Sequence, residues 1–293
     1  MNSLPADSHW LNPPLFEVRQ AVARALAEDL SPLGDLTSSL LPQRLGEARL
    51  VSRMPGRIAG TMCVTETLAQ LDPEVVVSWA ADEGDQIVAG QQLAVLRGPF
   101  HSILTAERTA LNFLGHLSGI ATLTAAFVAA AAEGGSAQVW DTRKTIPGLR
   151  SLAKAAVRAG GGRNHRGNLS DWLLIKDNHL GSIGITEAVR RSRDYWPART
   201  VHVECDHIDQ CIEALEAGAD AILLDNMTPA EVVACVAAAE VRQGGQLRKS
   251  LLEVSGGITL ESIASFSGTG VDMISVGAMT NSAPVLDLGL DLN

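Results

Sequence analysis

Charged residues and glycine turns follow six short apolar runs in the second half of this 293-residue chain. Cations come after the first two runs and carboxylates after the next two, and the last two end in glycine. Arginine and lysine bind carboxylates and phosphates, whereas glycine turns let backbone N–H groups approach phosphate oxygens. The pattern therefore predicts a site for an anionic, phosphorylated ligand, built from Arg143, Lys144, Lys176, Glu204, Asp225 and the turns Ser255-Gly256-Gly257 and Val276-Gly277-Ala278.

Positive charge is concentrated between residues 141 and 180, which hold eight Lys or Arg against three Asp. The whole chain is acidic, with 23 Lys and Arg against 33 Asp and Glu. Local positive charge in an acidic chain favours a small anionic ligand over a nucleic acid or an anionic membrane surface. Arg150, Lys154 and Arg158 recur every fourth residue, which is equally typical of a solvated helix face.

Two groups of side chains give this site its chemistry. The loop GGGRNHRGNLSD places Arg163, His165 and Arg166 close together, although a solvated surface loop is the alternative. Glu204 and Asp225 follow neighbouring runs and can bind ribose hydroxyls, hold Mg²⁺, act as acid and base, or pair with the cations. The absence of HxH and HExxH patterns argues against a zinc site.

The apolar runs alternate with helical patterns near 149–160, 185–194, 207–217, 229–240 and 259–267, which predicts parallel βαβ units. The runs are 138–140, 172–175, 200–203, 221–224, 251–254 and 273–276. This α/β pattern indicates a C-terminal β/α barrel of six to seven strands, either complete or incomplete. The carboxyl ends of barrel strands meet at one rim, where all the polar residues above are then expected to converge.

The first hundred residues have a different pattern, with a helix over Leu15–Leu30 followed by short strands and turns. A long helical segment, Thr105–Ala132, joins the two halves. We therefore predict an N-terminal α+β domain over residues 1–118 and a barrel over 119–279, with the tail 280–293 returning to the first domain.

The composition and the N-terminal sequence argue against several kinds of partner and of cellular location. Aromatic residues make up only 4% of the chain, which argues against a base-stacking surface. The four cysteines lack CxxC spacing and are expected to be buried free thiols. The N-terminus has no export signal, and the apolar stretch Ile120–Ala132 is interpreted as a buried helix. We expect a cytoplasmic protein with no nucleic-acid or membrane partner.

Longer motifs resemble quinolinate phosphoribosyltransferase, the decarboxylating nicotinate-nucleotide pyrophosphorylase. The resemblance covers nearly the whole chain in order, and its most specific parts are DTRKTIPGLR (Asp141–Arg150) and GGGRNHR with LLIKDNH (residues 160–179). It continues through ERTALNFLGHLSGIAT, GADAILLDNM, LEVSGGI and GVDMISVGAMT. Where the family commonly has His or Lys, near Met279–Pro284, this chain has Asn281, which we leave out of the predicted site.

The resemblance implies transfer of phosphoribose from phosphoribosyl pyrophosphate to quinolinate with loss of CO₂, dependent on Mg²⁺. It also implies a homodimer with shared active sites. Quinolinate would be bound by Arg143, His165, Arg166 and Lys176, with Arg108 from the partner subunit. Phosphoribosyl pyrophosphate would be bound by Thr142, Lys144, Glu204, Asp225, Ser255, Gly256, Gly257, Val276, Gly277 and Ala278. Lys144, Glu204 and Asp225 would be catalytic, and the two carboxylates would also serve the metal.

Three alternatives remain open at this point. A related phosphoribosyltransferase would act on nicotinate or on another pyridine or azole acid, although four clustered cations favour a substrate with two carboxylates. A Schiff-base aldolase or lyase on the same barrel would use Lys176 or Lys144 as its amine, since both follow apolar runs. A non-catalytic barrel would bind the ligand and release no CO₂.

Overall fold

The computed structural model describes residues 10–181, 183–243 and 250–292. The chain divides into two compact units. The first takes the chain up to Ala125, together with Lys144–Gly161 and the segment from Ala278 onward. The second consists of Ala126–Arg143 and Gly162–Gly277. The predicted domain boundary at 118–119 falls inside the long helix α3 (Phe100–Gly134), whose residues belong to both units.

The first unit contains an antiparallel sheet of four strands, which confirms the predicted α+β organisation. Its strands, in spatial order, are β12 (Leu288–Leu292), β1 (Leu45–Ser52), β5 (Gln92–Pro99) and β3 (Val76–Trp79). A separate pair is formed by β2 (Gly56–Arg57) and β4 (Gln86–Ile87). The helices are α1 (Leu15–Leu30), a 3₁₀ turn (Ser38–Leu40), α2 (Thr61–Leu71), the first part of α3, α4 (Arg150–Ala159) and α10 (Ala278–Asn281). Because β12 pairs with β1, the end of the described chain completes the N-terminal sheet.

Helix α3 is long and apolar enough to cross a membrane by length and composition alone. One such helix is weak evidence for a span, because core helices of soluble proteins meet the same criterion. Here Ile103 and Leu114 of α3 are fully buried with Leu50 and Leu93 of the sheet. Burial of this apolar surface is the main favourable contribution to folding of the unit, so α3 serves as its core helix.

The cations of α4 are not a solvated face. Lys154 is buried, and Arg158 donates from Nε to the carbonyl of Trp10 at 2.8 Å and from Nη2 to that of Asn12 at 3.0 Å. The solvated-face interpretation is therefore wrong for these two residues, because the helix lies inside the first unit.

The second unit is a parallel sheet of six strands in the order β6-β11-β10-β9-β8-β7. The strands are β6 (Gln138–Trp140), β7 (Leu173–Ile175), β8 (Val201–Cys205), β9 (Ala221–Asp225), β10 (Leu251–Ser255) and β11 (Met273–Ser275). The helices are α5 (Asp177–Leu180), α6 (Gly184–Tyr195), α7 (Ile208–Glu216), α8 (Pro229–Gln243) and α9 (Ile263–Ser267). A single parallel bridge between Trp140 and Arg163 adds a seventh position beside β6. The predicted barrel of six to seven strands is confirmed.

The register of this sheet separates a polar face from an apolar one. His202 pairs with Ala221, Glu204 with Leu223, and Ser255 with Asp225, and side chains alternate between faces along each strand. One face therefore carries His202, Glu204, Asp225, Glu253, Ser255 and Ser275, and the other carries Val203, Cys205, Ile222, Leu224, Leu252, Val254 and Ile274. The same register aligns the carboxyl ends of the strands at one rim, as the sequence predicts.

Replacement of Gly119 by alanine tests the attachment of the C-terminal segment to α3. A Cβ atom at Gly119 would lie 2.0 Å from the carbonyl oxygen of Pro284 and 3.3 Å from Cα of Val285. Gly→Ala in an open helix stabilises by about 1 kcal/mol, but backbone clashes of this kind typically cost about 1–3 kcal/mol. We expect Gly119→Ala to lower the free energy of unfolding, measured by denaturant titration.

Gly181→Ala is the matched control, because a Cβ atom there meets no atom within 4 Å. A free energy of unfolding for Gly119→Ala equal to or above that of the parent protein would contradict this account.

Candidate active site

The ends of β7 and β8 bring a lysine and a glutamate together. Lys176, the first residue after β7, contacts Glu204 Oε2 through Nζ at 2.5 Å. The glutamate side chain is 11% exposed and the lysine 41%, so the pair opens to solvent on the lysine side. The backbone N–H of Lys176 donates to Nδ1 of His179 at 3.0 Å, which fixes the turn into α5.

Arg166 and Arg143 concentrate positive charge near this pair. Arg166 is 7% exposed and donates from Nη1 to the carbonyl of Trp172 at 3.4 Å. Burial lowers the pKa of Arg166, the charge of Arg143 lowers it further, and Asp171 and Glu204 oppose the shift. A buried guanidinium group that is destabilised by burial and by a neighbouring positive charge favours an anionic ligand that would neutralise it.

Asp141 fixes the loop that carries His165 and Arg166. The aspartate is fully buried at the end of β6, and its two oxygens accept hydrogen bonds from the backbone N–H of His165 at 2.8 Å and from Nδ2 of Asn164 at 2.7 Å. The backbone N–H of Asp141 donates to the carbonyl of Arg163 at 2.9 Å. Sequence reasoning missed this positioning role of Asp141, although it begins the DTRK motif.

His165 lies in a buried cluster that the sequence analysis did not include. Its Nε2 atom is 3.2 Å from Oε2 of Glu253, and Nε2 of His202 is 3.4 Å from the same oxygen. The His165 ring also meets Trp172 edge-on, with ring centroids 4.8 Å apart. The signal for His202 and Glu253 was present in the sequence as polar residues at alternate positions of two buried strands, HVE and LEVS.

The surroundings of this cluster favour the charged form of Glu253 and the neutral form of His202. Burial alone would raise the pKa of Glu253, but the contact with His165 and the neighbourhood of His202 outweigh it and lower that pKa below its ordinary value. Burial lowers the pKa of His202 to about 4, against the opposing attraction of Glu253. At neutral pH the cluster therefore holds an ionised Glu253 and a neutral His202.

The turn after β9 and the turn after β10 are locked together. Oδ2 of Asp225 accepts a hydrogen bond from Nδ2 of Asn226 at 2.6 Å, and the backbone N–H of Asn226 donates to the carbonyl of Ser255 at 2.9 Å. Gly256 has a φ of +93°, and a Cβ atom there would lie 2.2 Å from Oδ1 of Asn226. Only glycine fits this position. Gly257 (φ +60°) faces open space, as a phosphate-binding turn would.

The other predicted site residues divide between the two units. Thr142 and Arg143 follow Asp141 in the second unit, and the backbone N–H of Val276 donates to the carbonyl of Trp140 at 2.9 Å, which places the Val276-Gly277 turn at the same rim. Arg108, Lys144 and Ala278 belong to the first unit.

Within the first unit, the carbonyl of Lys144 accepts a hydrogen bond from Oγ1 of Thr280 at 2.8 Å, so Lys144 lies beside the helix that begins at Ala278. Arg108 is exposed on α3. The roles of these three residues stay predictions.

Two family descriptions together match almost the whole chain. Residues 35–118 match "Quinolinate phosphoribosyl transferase, N-terminal domain", and residues 120–291 match "Quinolinate phosphoribosyl transferase, C-terminal domain". The two matches meet within α3, near the predicted boundary.

Individual proteins are similar over comparable lengths. A Mycobacterium leprae protein named "Nicotinate-nucleotide pyrophosphorylase [carboxylating]" is 41% identical over 280 residues, covering 94% of this chain and 96% of its own. The human protein of the same name is 38% identical over 251 residues, covering 84% and 82%. A solved structure of the nicotinate-nucleotide pyrophosphorylase from Francisella tularensis has a TM-score of 0.91 and 37% identity, covering 97% of this chain and 99% of that one.

The buried His202 predicts a loss of stability in mild acid. Its pKa in the folded protein, about 4, lies below the ordinary value of 6.5, so the unfolded chain binds a proton first as the pH falls. The stability that the neutral, buried His202 allows is fully present above pH 6.5 and is lost as the pH falls from 6.5 through 4. We expect the free energy of unfolding to fall by on the order of 3 kcal/mol over this range, from about 1.4 kcal/mol per pKa unit.

Denaturant titrations of the parent protein, His202→Gln and His207→Gln between pH 7.5 and 4 measure this dependence. The slope should flatten in His202→Gln and persist in the control, because His207 is exposed. An equal slope in the parent and His202→Gln would reject this assignment.

Proposed function

The chain belongs to the quinolinate phosphoribosyltransferase family, and we propose that the rim of its parallel sheet is the active site of that reaction. The protein is a pentosyltransferase of NAD biosynthesis, which transfers phosphoribose from phosphoribosyl pyrophosphate to quinolinate with loss of CO₂. The names of the relatives describe the same reaction in reverse, as carboxylation. The observation that carries the assignment of the site is the ion pair of Lys176 with Glu204, with Arg166 close enough to feel the charges of both Glu204 and Arg143.

We propose that the cations hold the two carboxylates of quinolinate. Burial and the charge of Arg143 lower the pKa of Arg166, so a dianion bound beside Arg166 would stabilise its charged form. Lys176 reaches the rim with its ammonium group partly exposed, and His165 is held in place by Asp141. Holding the pyridine ring in one orientation converts the attack into an effectively unimolecular step.

The carboxylates Glu204 and Asp225 would serve the sugar. Departure of pyrophosphate leaves positive charge on the ribose ring, and fixed carboxylates stabilise charge that develops in the transition state. The open space beside Gly257, with its left-handed backbone, supports placement of the 5′-phosphate at Ser255-Gly256-Gly257, with Val276-Gly277 alongside. The roles of Thr142, Lys144, Arg108 and Ala278 rest on the resemblance alone.

The bond changes balance with one proton taken from solvent water. The pyridine nitrogen bonds to C1 of the ribose while the bond from C1 to pyrophosphate breaks, and pyrophosphate keeps the electron pair. The positive charge of the new pyridinium stabilises the electron pair that remains at C2 when its carboxylate leaves as CO₂, and the solvent proton then adds at C2. On this scheme the protein positions the reactants and balances their charge, and forms no covalent bond to them.

We also propose Mg²⁺ as the cofactor. Glu204 and Asp225 offer the carboxylate oxygens that Mg²⁺ prefers, and the strand register places them on neighbouring strands of one face. When bound, the ion would neutralise charge on the departing pyrophosphate.

The alternative of a Schiff-base enzyme using Lys176 is not favoured by the geometry. Such a lysine needs its Nζ atom available for attack on a carbonyl, whereas Nζ of Lys176 is in contact with Oε2 of Glu204.

We propose a homodimer that shares its active sites, in the cytoplasm. Leu33, Leu36 and Leu40 are 75%, 63% and 82% exposed, an apolar surface typical of a partner interface. This segment is tied to the helix of Arg108, because Asp35 accepts a hydrogen bond from Thr105 of α3 at 2.8 Å. On this proposal Arg108, which is exposed on α3 one turn after Thr105, would enter the site of a partner subunit.

Four free, buried cysteines support the reducing cytoplasm as the location.

A parallel assay tests the function and the site. Quinolinate, nicotinate and nicotinamide are each incubated with phosphoribosyl pyrophosphate and Mg²⁺, and CO₂ and mononucleotide are measured. We expect turnover with quinolinate only, its loss with a chelator, and no adduct on borohydride treatment. Arg166→Ala should reduce kcat/KM by more than ~10²-fold, since loss of one fixed charge-stabilising group costs about 2.7–4 kcal/mol.

Arg190→Ala is the matched control, because Arg190 forms ion pairs with Glu187 and Asp194 on the exposed face of α6. Binding of quinolinate without CO₂ release would indicate a non-catalytic barrel. Near-parent turnover by Arg166→Ala would remove that residue from the site.

Mixed dimers test the shared site. Arg108→Ala and Lys144→Ala homodimers should each be inactive, and co-expressed chains should recover activity. One of the two sites in a mixed dimer then lacks both substitutions, so each mixed dimer should have about half the parent activity. Inactive mixed dimers, isolated with two different affinity tags, would show that Arg108 does not act across an interface.

A further inference from the structure

The cluster of Glu253, His165 and His202 lies beneath the rim and is not explained by the reaction scheme above. Glu253 is fully buried, and His202 and His165 are 2% and 7% exposed. Three titratable side chains buried together are costly unless their protons and charges are arranged to satisfy one another.

The contact with Glu253 indicates where one proton of His165 would lie. An ionised carboxylate only accepts hydrogen bonds, and Nε2 of His165 is 3.2 Å from Oε2 of Glu253, an ion-pair distance at which neither atom completes a hydrogen bond. This contact is favourable when Nε2 carries a proton. Any polar contact of the His165 ring with a substrate must then be made through Nδ1.

The substrate places a second demand on the ring. A carboxylate of quinolinate is itself an acceptor, so Nδ1 must also carry a proton to bind it. Both ring nitrogens are donors only in the imidazolium form. A histidine that bridges Glu253 and a substrate carboxylate is therefore positively charged.

The groups around His165 show what can balance that charge. The ring faces Glu253 and His202, while Arg166 is the next residue and adds positive charge. Asp141 is also close, but its oxygens accept from the backbone N–H of His165 and from Asn164. Glu253 is the carboxylate in contact with the ring itself.

We propose that Glu253 is a positioning residue for His165, whose imidazolium form it holds with Nδ1–H directed at a carboxylate of quinolinate. This inference rests on the proposed site. It adds a buried acid that does not touch the substrate and yet sets the affinity for it, with Nε2 of His202 3.4 Å from the same oxygen.

Glu253→Gln tests the proposal, because the amide keeps the size and one acceptor but removes the negative charge. We expect KM for quinolinate to rise and its kcat/KM to fall by ~10- to 100-fold, as is common when the partner of an oriented histidine is removed. KM for phosphoribosyl pyrophosphate should not change.

A double-mutant cycle separates positioning from a general structural role. In a His165→Ala background, Glu253→Gln should cause no further loss, because the residue through which it acts is gone. Equal losses in both backgrounds, or a matching rise in KM for phosphoribosyl pyrophosphate, would overturn the proposal. Glu240→Gln, an exposed substitution on α8, is the matched control and should behave as the parent.

The parent protein provides a second readout that does not depend on the folding of a variant. Long-range ¹H–¹⁵N spectra of histidine-labelled protein with quinolinate bound should show both nitrogens of His165 protonated. A neutral His165 in that complex would overturn the proposal, as would stoichiometric zinc in the purified protein that Glu253→Gln abolishes. Absence of quinolinate turnover in the parent protein would instead refute the proposed function.

Discussion

Burial of charge is the constraint on which the second unit depends. Its six parallel strands place acids and His202 on one face, where an uncompensated charge is costly. The protein supplies partners for two of these acids, since Glu253 contacts His165 and Glu204 contacts Lys176. Positive charge from Arg143 nevertheless acts on Arg166. In the proposed function, a dianionic substrate would neutralise part of this positive charge.

The strand ends are connected so that these charges keep their places without ligand. Asp141 holds the backbone of the loop before β7, and Asn226 bridges from Asp225 to the carbonyl of Ser255. Gly256 leaves the space that this bridge needs. Groups that are already oriented need no reorganisation when charge develops on the substrate, and such preorganisation is the main electrostatic contribution of enzymes.

Much of the fold was predictable because parallel strands and amphipathic helices have distinct periods. The predicted runs match β6 to β11 within two residues, and the rim followed from the rule that strand ends meet. The burial of the lysine of α4 was not predictable from these periods. Lys154 has the spacing of a surface residue and is buried, because its helix belongs to the first unit although it follows β6 in sequence.

The sequence alone determined the class of fold, the succession of strands along the chain and the kinds of side chain at each strand end. These features depend on local periods and residue types. Tertiary structure decided which charges face each other. His202 and Glu253 are 51 positions apart and approach within 3.4 Å because β8 and β10 present the same face. Distances of this kind arise from register and burial across strands, which no local pattern in the chain encodes.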